Sequence, residues 1–150
     1  LTASGDLSHH VNGFPNPYEV IKHPNGQEVV YSGTDWEGIA GFSRAIRSGN
    51  TIKVSGTTAT HVDRLIGGND LKAQTHFIID KIEGAIISLG GRLEDVDRTR
   101  IFVRNIDDWD LVARAHGERF ASIQPTNTLV EAKLVGEEYL VEIEAEATLK

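Results

Sequence analysis

The alternation of apolar and polar residues predicts two β-hairpins in the first third of the chain. Four short alternating segments form two pairs, each joined by a glycine-containing turn: residues 19–22 with 27–31, and residues 42–47 with 51–56. The first turn contains Asn25-Gly26, and these residue types tolerate the positive φ angles that tight hairpins require. In the second hairpin Ile52 and Val54 are two positions apart, so we expect both side chains on one face of the strand.

Two longer segments have the spacing of helices with one buried face. Apolar residues recur at intervals of three and four between residues 70 and 89, and Gly90-Gly91 ends the pattern. A second segment runs from residue 107 to 121 and has acidic residues in its first turn. The stripe of this helix that we predict to face a sheet consists of Trp109, Val112, Ala113, His116 and Phe120.

Three further segments, residues 96–104, 128–134 and 138–149, alternate with the period of strands. The order of elements predicts an α+β fold in which a mixed sheet has both helices packed on one face. No predicted helix is left for the other face of the sheet, so we expect that face to be covered in an oligomer. Residues 57–68 have little periodicity and are predicted to form a loop over a pocket.

Length and composition favour one small intracellular domain. We divide the 150 residues into an N-terminal arm and hairpin extension, residues 1–41, and an α+β domain, residues 42–150. The arm itself, residues 1–18, contains glycine and proline without periodicity. No apolar run approaches the roughly 20 residues of a membrane span, and no secretory pattern opens the chain. The absence of cysteine fits a cytoplasmic location.

The residue types exclude several classes of chemistry. The lack of cysteine removes disulfides, thiolate nucleophiles and cysteine-ligated metals, and the net charge of −7 makes nucleic acid an unexpected partner. The six histidines include no His-Glu-x-x-His zinc motif, and no nucleophile elbow or phosphate-binding glycine loop occurs. We therefore predict no metal and no cofactor.

A series of motifs occurs in a fixed order from residue 46 to residue 147. They are IRSGNTIKVSG at 46–56, AQT at 73–75, RTRIFV at 98–103, DDW at 107–109, HGERF at 116–120, PTNTLVE at 125–131 and LVEIEAEA at 140–147. In this combination the chain resembles the Rid family, the YjgF-like reactive-intermediate deaminases, from about Phe42 to its C-terminus.

The resemblance implies a chorismate-mutase-like α+β fold, assembled as a homotrimer with small-molecule clefts at the subunit boundaries. Family members hydrolyse reactive enamines and imines such as 2-aminoacrylate to keto acids and ammonia. Other members have been labelled endoribonucleases or translation inhibitors. The partners implied for this chain are therefore a small metabolite and further copies of itself.

Three positions of the family site can be assigned by this resemblance. The glutamate that positions the attacking water corresponds to Glu142. The arginine that pairs with the substrate carboxylate corresponds to Asn127, whose amide donates hydrogen bonds but has no charge. A tyrosine of many deaminating members corresponds to Phe42, which has no hydroxyl. These departures imply an altered substrate or the loss of 2-aminoacrylate chemistry.

The same residues also have structural explanations. A glutamate on an alternating strand, such as Glu142, is usually a solvated face residue, and Asn127 can serve as a turn or strand-start residue after Pro125. The backbone amides near Ser55-Gly56-Thr57 are predicted to donate to a ligand.

Arginines on one face of the strand at 96–104 are a further candidate. Arg98, Arg100 and Arg104 can supply anion-binding charge to the cleft, which is why the first two are included among the ligand-binding residues. Ion pairs across the sheet with the glutamates of the last strand are the favoured alternative. Of the histidines, His116 is predicted to be packed on its helix, and His61 lies in the loop expected at the edge of the cleft.

Three functional hypotheses follow. The leading one is a Rid-like homotrimer whose inter-subunit cleft hydrolyses a reactive imine or enamine, or a related carbonyl metabolite, with Glu142 orienting water. The second is a trimer that binds a metabolite or regulates a partner but has lost the deaminase reaction. The third, an RNA-cleaving translation inhibitor, rests on family labels and is opposed by the negative net charge.

Overall fold

The computed structural model describes residues 18–150, which contain nine strands and three α-helices. The strands are β1 Val20–Lys22, β2 Glu28–Val30, β3 Ala45–Ser48, β4 Thr51–Thr57, β5 Thr60–His61, β6 Arg64–Leu65, β7 Val96–Val103, β8 Thr126–Glu131 and β9 Val141–Thr148. The helices are α1 Asp35–Ala40, α2 Leu71–Ser88 and α3 Trp109–Phe120. The predicted arm, apart from Tyr18, lies outside the described residues.

Seven of these strands form one mixed sheet in the order β1-β2-β3-β4-β9-β7-β8. Neighbouring strands are antiparallel except β7 and β8, which are parallel because α3 returns the chain to the starting edge of β7. The last two strands, β8 and β9, do not pair with each other: β9 lies between β4 and β7. Both long helices cover the same face of the sheet, so the predicted α+β architecture is confirmed.

Both predicted hairpins are present. Gly26 and Gly49 occupy the turns with φ angles of 91° and 61°, which glycine adopts without steric cost. β2 also pairs with β3, so the N-terminal hairpin continues the sheet of the α+β domain. Ile52 and Val54 of β4 are both buried beneath the helices, as the alternation predicted.

The helices begin and end where the sequence indicated, with one correction. Asp70 caps α2 by accepting a hydrogen bond from the Ala73 amide at 3.1 Å. In α3, Val112 and Phe120 are buried, whereas the indole of Trp109 is 53% exposed. The prediction that Trp109 packs on the sheet was wrong, because the helix only begins at this residue and its buried face starts one turn later, at Val112.

The two faces of the sheet differ in chemistry. The helix-covered face forms one apolar core from strand residues such as Ile101 and Ile143 and from helix residues such as Ile78 and Ile82, all at most 1% exposed. The opposite face, called here the open face, presents charged side chains of β7 and β9. Within residues 18–150 no helix has the length and apolar character needed to cross a membrane.

Candidate functional site

A cavity of about 310 Å³, called here the Glu142 cavity, lies where β4 and β9 meet α1, α2 and the small β5–β6 hairpin. Its lining combines apolar and charged side chains: Thr34, Asp35, Trp36, Phe42, Arg44, Gly56, Thr58, Thr60, Val62, Asp63, Lys81, Val135, Tyr139 and Glu142. Residues 57–68, which the sequence predicted to form a loop over a pocket, do contribute to the lining of this cavity, through the β5–β6 hairpin and the residues beside it.

Glu142 lies on β9, opposite Phe102 of β7, and its side chain is partly buried. Burial raises the pKa of this carboxyl, while the Arg44 guanidinium lowers it and Glu144 raises it further, with a net upward shift. A carboxyl group with a raised pKa at the wall of a cavity can accept a proton from water or return one to a leaving group. The chemistry that the resemblance implied for this position is therefore available.

Gly56 provides the space that the Glu142 side chain occupies. The pairing of β4 with β9 shifts register between Val54 and Thr57, which is a β-bulge at the Ser55-Gly56 step. A Cβ atom on Gly56 would overlap Oε2 of Glu142, so a larger residue forces the carboxyl group to move. The bulge and the glycine together set where the carboxyl lies in the cavity.

Arg44 forms the buried charged centre behind the cavity and is only 4% exposed. Its Nη1 donates to the Gly56 carbonyl at 2.7 Å and to Thr57 Oγ1 at 2.8 Å, and its Nε donates to Glu37 Oε2 at 3.2 Å. The Phe42 ring lies under the guanidinium, 5.5 Å from its carbon to the ring centroid. The arginine therefore ties the bulge of β4 to α1.

Glu37 is the carboxylate that balances this arginine, and α1 brings it there. Burial acts to raise the pKa of Glu37, but a hydrogen bond from Ser32 and the charge of Arg44 outweigh it, so the pKa is lowered. The backbone amides of Ser32 and Gly33 donate to the same carboxylate at 3.0 and 3.1 Å. Glu37 is thus ionised and fully engaged in holding Arg44.

Lys81 of α2 is a further charged residue of the lining, beside Asp35 and Asp63, and is 3% exposed. Its Nζ donates to the Thr60 carbonyl at 2.7 Å. The pKa of Lys81 is lowered to about 7, chiefly by burial and also by the nearby positive charge of Arg44, while Glu37 opposes the shift. Near neutral pH a substantial share of this amine is therefore uncharged.

The structure brings Phe42, Gly56 and Glu142 together in the cavity and places the two other β4 candidates behind it. The Ser55 hydroxyl donates to the Ser43 carbonyl at 2.8 Å, and the Ser55 amide donates to the Arg44 carbonyl. The Thr57 hydroxyl donates to the Ser55 carbonyl and accepts from Arg44. Both side chains stabilise the bulge, and the Ser55 amide is not available to a ligand.

Asn127 is not in the Glu142 cavity of its own chain. It lies on the edge strand β8, where its Nδ2 donates to Thr99 Oγ1 at 2.9 Å. Together with His116 it lines a second cavity of about 290 Å³ between β8 and α3. On β7, Thr99 pairs with Asn127 and Phe102 pairs with Glu142. Thr99 and Phe102 are an odd number of positions apart, three, so their side chains point to opposite faces of the sheet. Asn127 and Glu142 therefore lie on opposite faces as well.

The arginines of β7 lie on the open face. Arg100 Nη1 pairs with Glu144 at 3.0 Å and with Glu146 at 3.7 Å, which confirms the cross-strand alternative for this residue. Arg98 stands opposite Glu146 in the β7–β9 register. Neither arginine lines the Glu142 cavity of its own chain, so a role for them in ligand binding stays a prediction.

For Arg104 the expected ion pair across the sheet is wrong. Instead of an ion pair with a β9 glutamate, it donates to the backbone carbonyls of Tyr139 at 2.8 Å, Leu134 at 3.0 Å and Gly136 at 2.6 Å. Since β7 ends at Val103, Arg104 has left the ladder of charged pairs and instead holds the loop between β8 and β9. This loop carries Val135 and Tyr139 to the rim of the cavity.

The two singled-out histidines are both packed. His116 Nε2 lies 2.9 Å from Thr99 Oγ1, and its ring lies 4.5 Å from that of Phe120, as predicted for a packed residue. The His61 ring lies 6.3 Å from that of Phe77, centroid to centroid, with the two planes nearly perpendicular, and His61 is not among the residues that line the cavity. Among the described residues no group of three or more histidine, aspartate or glutamate side chains is arranged to hold a metal ion.

Sequence reasoning missed Glu37, Arg44 and Lys81. Lys81 had a visible signal, because it lies three positions after Ile78 and four before Ala85, on the apolar stripe of α2. A charged residue on such a stripe is either paired or functional. Glu37 had no such signal, since α1 has only six residues and no stripe of its own.

Three comparisons relate the chain to known proteins. The family model described as endoribonuclease L-PSP matches residues 33–149. The uncharacterized protein SCO2049 of Streptomyces coelicolor is 39% identical over 119 residues, which cover 79% of this chain and 89% of that protein. The 3-aminoacrylate deaminase RutC of Acinetobacter baylyi is 27% identical over 106 residues, or 70% of this chain and 84% of RutC.

The fold is also shared with solved structures. The crystal structure of Rv2704 from Mycobacterium tuberculosis, a member of the YjgF/YER057c/UK114 family, superposes with a TM-score of 0.76. The two sequences are 38% identical, and the match covers 83% of this chain and all of that one. The chorismate-mutase-like α+β fold expected from the sequence is thereby confirmed.

Proposed function

The chain belongs to the Rid family, the YjgF-like proteins that the endoribonuclease L-PSP model describes, and we propose that it hydrolyses a small imine or enamine, or a related carbonyl metabolite, in the Glu142 cavity. RutC, a relative, is named as a 3-aminoacrylate deaminase, and 3-aminoacrylate is an enamine. In the proposed reaction water adds to the C=N carbon, and ammonia leaves as the carbonyl forms.

The observation that carries the proposal is the setting of the Glu142 carboxyl. It lies at the wall of the cavity, its pKa is raised chiefly by burial, and Gly56 leaves room for it. Addition of water to an imine needs a group that takes one proton from water and delivers one to nitrogen. A carboxyl group whose pKa is moved toward neutrality serves both steps.

We further propose that the active assembly is a homotrimer in which the cleft takes Glu142 from one subunit and Asn127 from the next. The two residues lie on opposite faces of the sheet within one chain, so one subunit alone does not bring them to a shared ligand. The exposed edge strand β8, which holds Asn127, is suited to meet a neighbouring subunit. Asn127 then contacts the ligand as an uncharged donor.

The test is turnover of imines generated in situ from amino acids by an amino-acid oxidase. We expect the Glu142→Gln variant to lose roughly 10²- to 10⁴-fold in turnover, the usual contribution of a general acid–base group. Glu146→Gln is the matched control, because Glu146 lies on the same strand face but outside the cavity lining. Rates for the parent no higher than those for Glu142→Gln would refute imine hydrolysis for those substrates.

A metabolite-binding trimer without turnover is the second candidate, favoured by one observation. That observation is the hydrogen bond by which the Asn127 amide already donates to Thr99 Oγ1. By the family resemblance Asn127 corresponds to the arginine with which deaminating members bind the substrate carboxylate. In the Asn127→Arg variant, turnover of an anionic imine above that of the parent would mean that the cleft retains its chemistry and has changed its specificity.

A further inference from the structure

We propose that Lys81 is an amine that forms a Schiff base with a small aldehyde or 2-oxo acid bound in the Glu142 cavity. Lys81 is almost wholly buried, yet it belongs to the cavity lining, so its nitrogen is withdrawn from bulk water and still meets the cavity space. The inference rests on the proposed function in one respect, that this cavity admits a small metabolite.

The hydrogen bonding of Lys81 suits a neutral amine. Its Nζ donates to the Thr60 carbonyl, a neutral acceptor. A neutral amine can make the same hydrogen bond and keep its lone pair, whereas a buried ammonium group with a carbonyl partner lacks a compensating negative charge. The contact holds the nitrogen in place without removing its nucleophilicity.

The balance of burial and charge around Lys81 acts in the same direction. Arg44, itself buried, repels a second positive charge, and Glu37, the carboxylate whose charge acts on Lys81 in the opposite sense, is already held by Arg44 and by Ser32. His61 of the β5–β6 hairpin is within electrostatic range of Lys81. Asp35, Asp63 and Glu142 line the same cavity and would favour the charged amine where they are ionised, but burial and Arg44 outweigh the opposing charge and the net shift of the Lys81 pKa is downward. A lysine that is desolvated beside another cation is the arrangement that activates amines for attack on carbonyl carbon.

The reaction balances without any further reagent. The neutral amine of Lys81 attacks the carbonyl carbon, a C–N bond forms, and the carbonyl oxygen leaves as water with the two protons that the nitrogen gives up. With an imine as substrate the same attack expels ammonia instead, and water later hydrolyses the lysine adduct to a carbonyl product and free Lys81. The latter sequence is a covalent route to the overall reaction proposed above.

Reductive trapping tests the proposal directly. The parent protein is incubated with pyruvate or propanal and sodium cyanoborohydride, and modified lysines are located by peptide mass spectrometry. At pH 7 about half of an amine with a pKa of about 7 is neutral, against on the order of 0.05% of an ordinary lysine. We therefore expect labelling of Lys81 about 10³-fold faster than labelling of the exposed Lys53 and Lys133, with a midpoint near pH 7.

Variants distinguish a failure of the Lys81 proposal from a failure of the proposed hydrolysis. Lys81→Arg keeps the positive charge but cannot form an imine, so its adduct is lost, whereas Lys53→Arg leaves labelling of Lys81 unchanged. Glu142→Gln is expected to retain trapping at Lys81 while losing turnover, so trapping and hydrolysis are judged independently. Labelling of Lys81 in the parent no faster than that of the exposed lysines overturns the proposal, and this result does not depend on whether any variant folds.

Discussion

Glu37, Arg44 and Lys81 are each at most 4% exposed, although all three side chains are charged in water at neutral pH. Burying a charge is costly unless it is paired and hydrogen-bonded. Arg44 and Glu37 satisfy each other, and the guanidinium also binds the β4 bulge, so this pair fixes the frame of the cavity. Among residues 18–150 no carboxylate forms an ion pair with Lys81, and its pKa is lowered instead.

Substitution of Gly56 tests how tightly the Glu142 carboxyl must be placed. In Gly56→Ala the new Cβ meets Glu142 Oε2, so the carboxyl must turn away. Displacement of a reacting group by about 1 Å can cost on the order of 10² in rate, and we expect a loss of turnover of that size. The assay is imine hydrolysis together with thermal unfolding.

Gly38→Ala is the matched control for that substitution. Gly38 lies within α1, and a Cβ there meets no atom within 4 Å. Alanine in a helix is favoured over glycine by roughly 0.5–1 kcal/mol, so this variant should be slightly more stable and equally active. Full activity in Gly56→Ala would show that the position of the Glu142 carboxyl does not limit the rate.

At the scale of elements, the contact between α2 and α3 contains a buried acidic pair. Arg119 of α3 lies between Asp80, at 2.9 Å, and Glu83, at 3.4 Å, both on α2. Burial raises the pKa of Glu83 to about 7, with Arg119 opposing the shift and Asp80 adding to it. Since the folded state holds this proton more tightly than the unfolded state, stability falls as pH rises from about 4.5 to about 7.

We expect Glu83→Gln to remove much of this pH dependence. The shift from 4.5 to about 7 corresponds to about 3 kcal/mol of unfolding free energy. Glutamine keeps the hydrogen bond to Arg119 without a titratable group. Urea unfolding between pH 4.5 and pH 8 measures the difference, and equal slopes for variant and parent would contradict it.

Lys81 affects the free energy of unfolding in a different pH range from Glu83. Its folded-state pKa of about 7 lies below its ordinary value of 10.5, so the unfolded state binds the proton more tightly between these values. This group makes stability rise with pH above 7, in the window where Glu83 no longer contributes a slope. In a plot of unfolding free energy against pH, Lys81→Met is therefore expected to reduce the slope only above about pH 7.

At the scale of the whole molecule, the open face and the β8 edge are the surfaces through which the proposed trimer would form. Charged pairs between β7 and β9, such as Arg100 with Glu144, occupy the centre of the open face. Asn127 lies at one edge of the sheet, on the face opposite to that of Glu142. In the proposed trimer, the β8 edge of one subunit would meet the Glu142 cavity of the next and complete the proposed site.

Complementation between subunits tests this assembly. We expect the Glu142→Gln and Asn127→Leu variants each to be inactive alone, because each lacks one of the two side chains proposed to act in the cleft. The two variants are then dissociated, mixed in equal amounts and allowed to reassemble. A cleft has both native residues only when the Asn127→Leu subunit supplies Glu142 and the Glu142→Gln subunit supplies Asn127, which random assortment gives in about one quarter of the clefts. Turnover should recover to about that fraction, and sedimentation velocity should give a trimer. Absence of recovery in mixed trimers would mean that the two residues do not share a cleft.

The local elements of this fold follow from the sequence because their signals are local. Turn glycines, the Asp70 cap, the helical stripes and the strand alternation are properties of neighbouring residues, and each predicted hairpin and long helix is present. The motif pattern also gave the family and placed Glu142, Phe42 and Gly56, which do meet in one cavity. Trp109 was misplaced because periodicity marks a face of a helix but not where along the helix packing begins.

The tertiary structure alone decided which distant residues meet. Strand order is set by long-range pairing, so the insertion of β9 between β4 and β7, and with it the opposite facing of Glu142 and Asn127, is invisible to local pattern. The burial of Arg44 against Glu37, and of Lys81 beside them, likewise depends on how α1 and α2 are brought to one end of β4. The sequence thus determined the elements and the family, and packing determined the electrostatics of the site, because pKa values depend on burial and on charges that lie far apart along the chain.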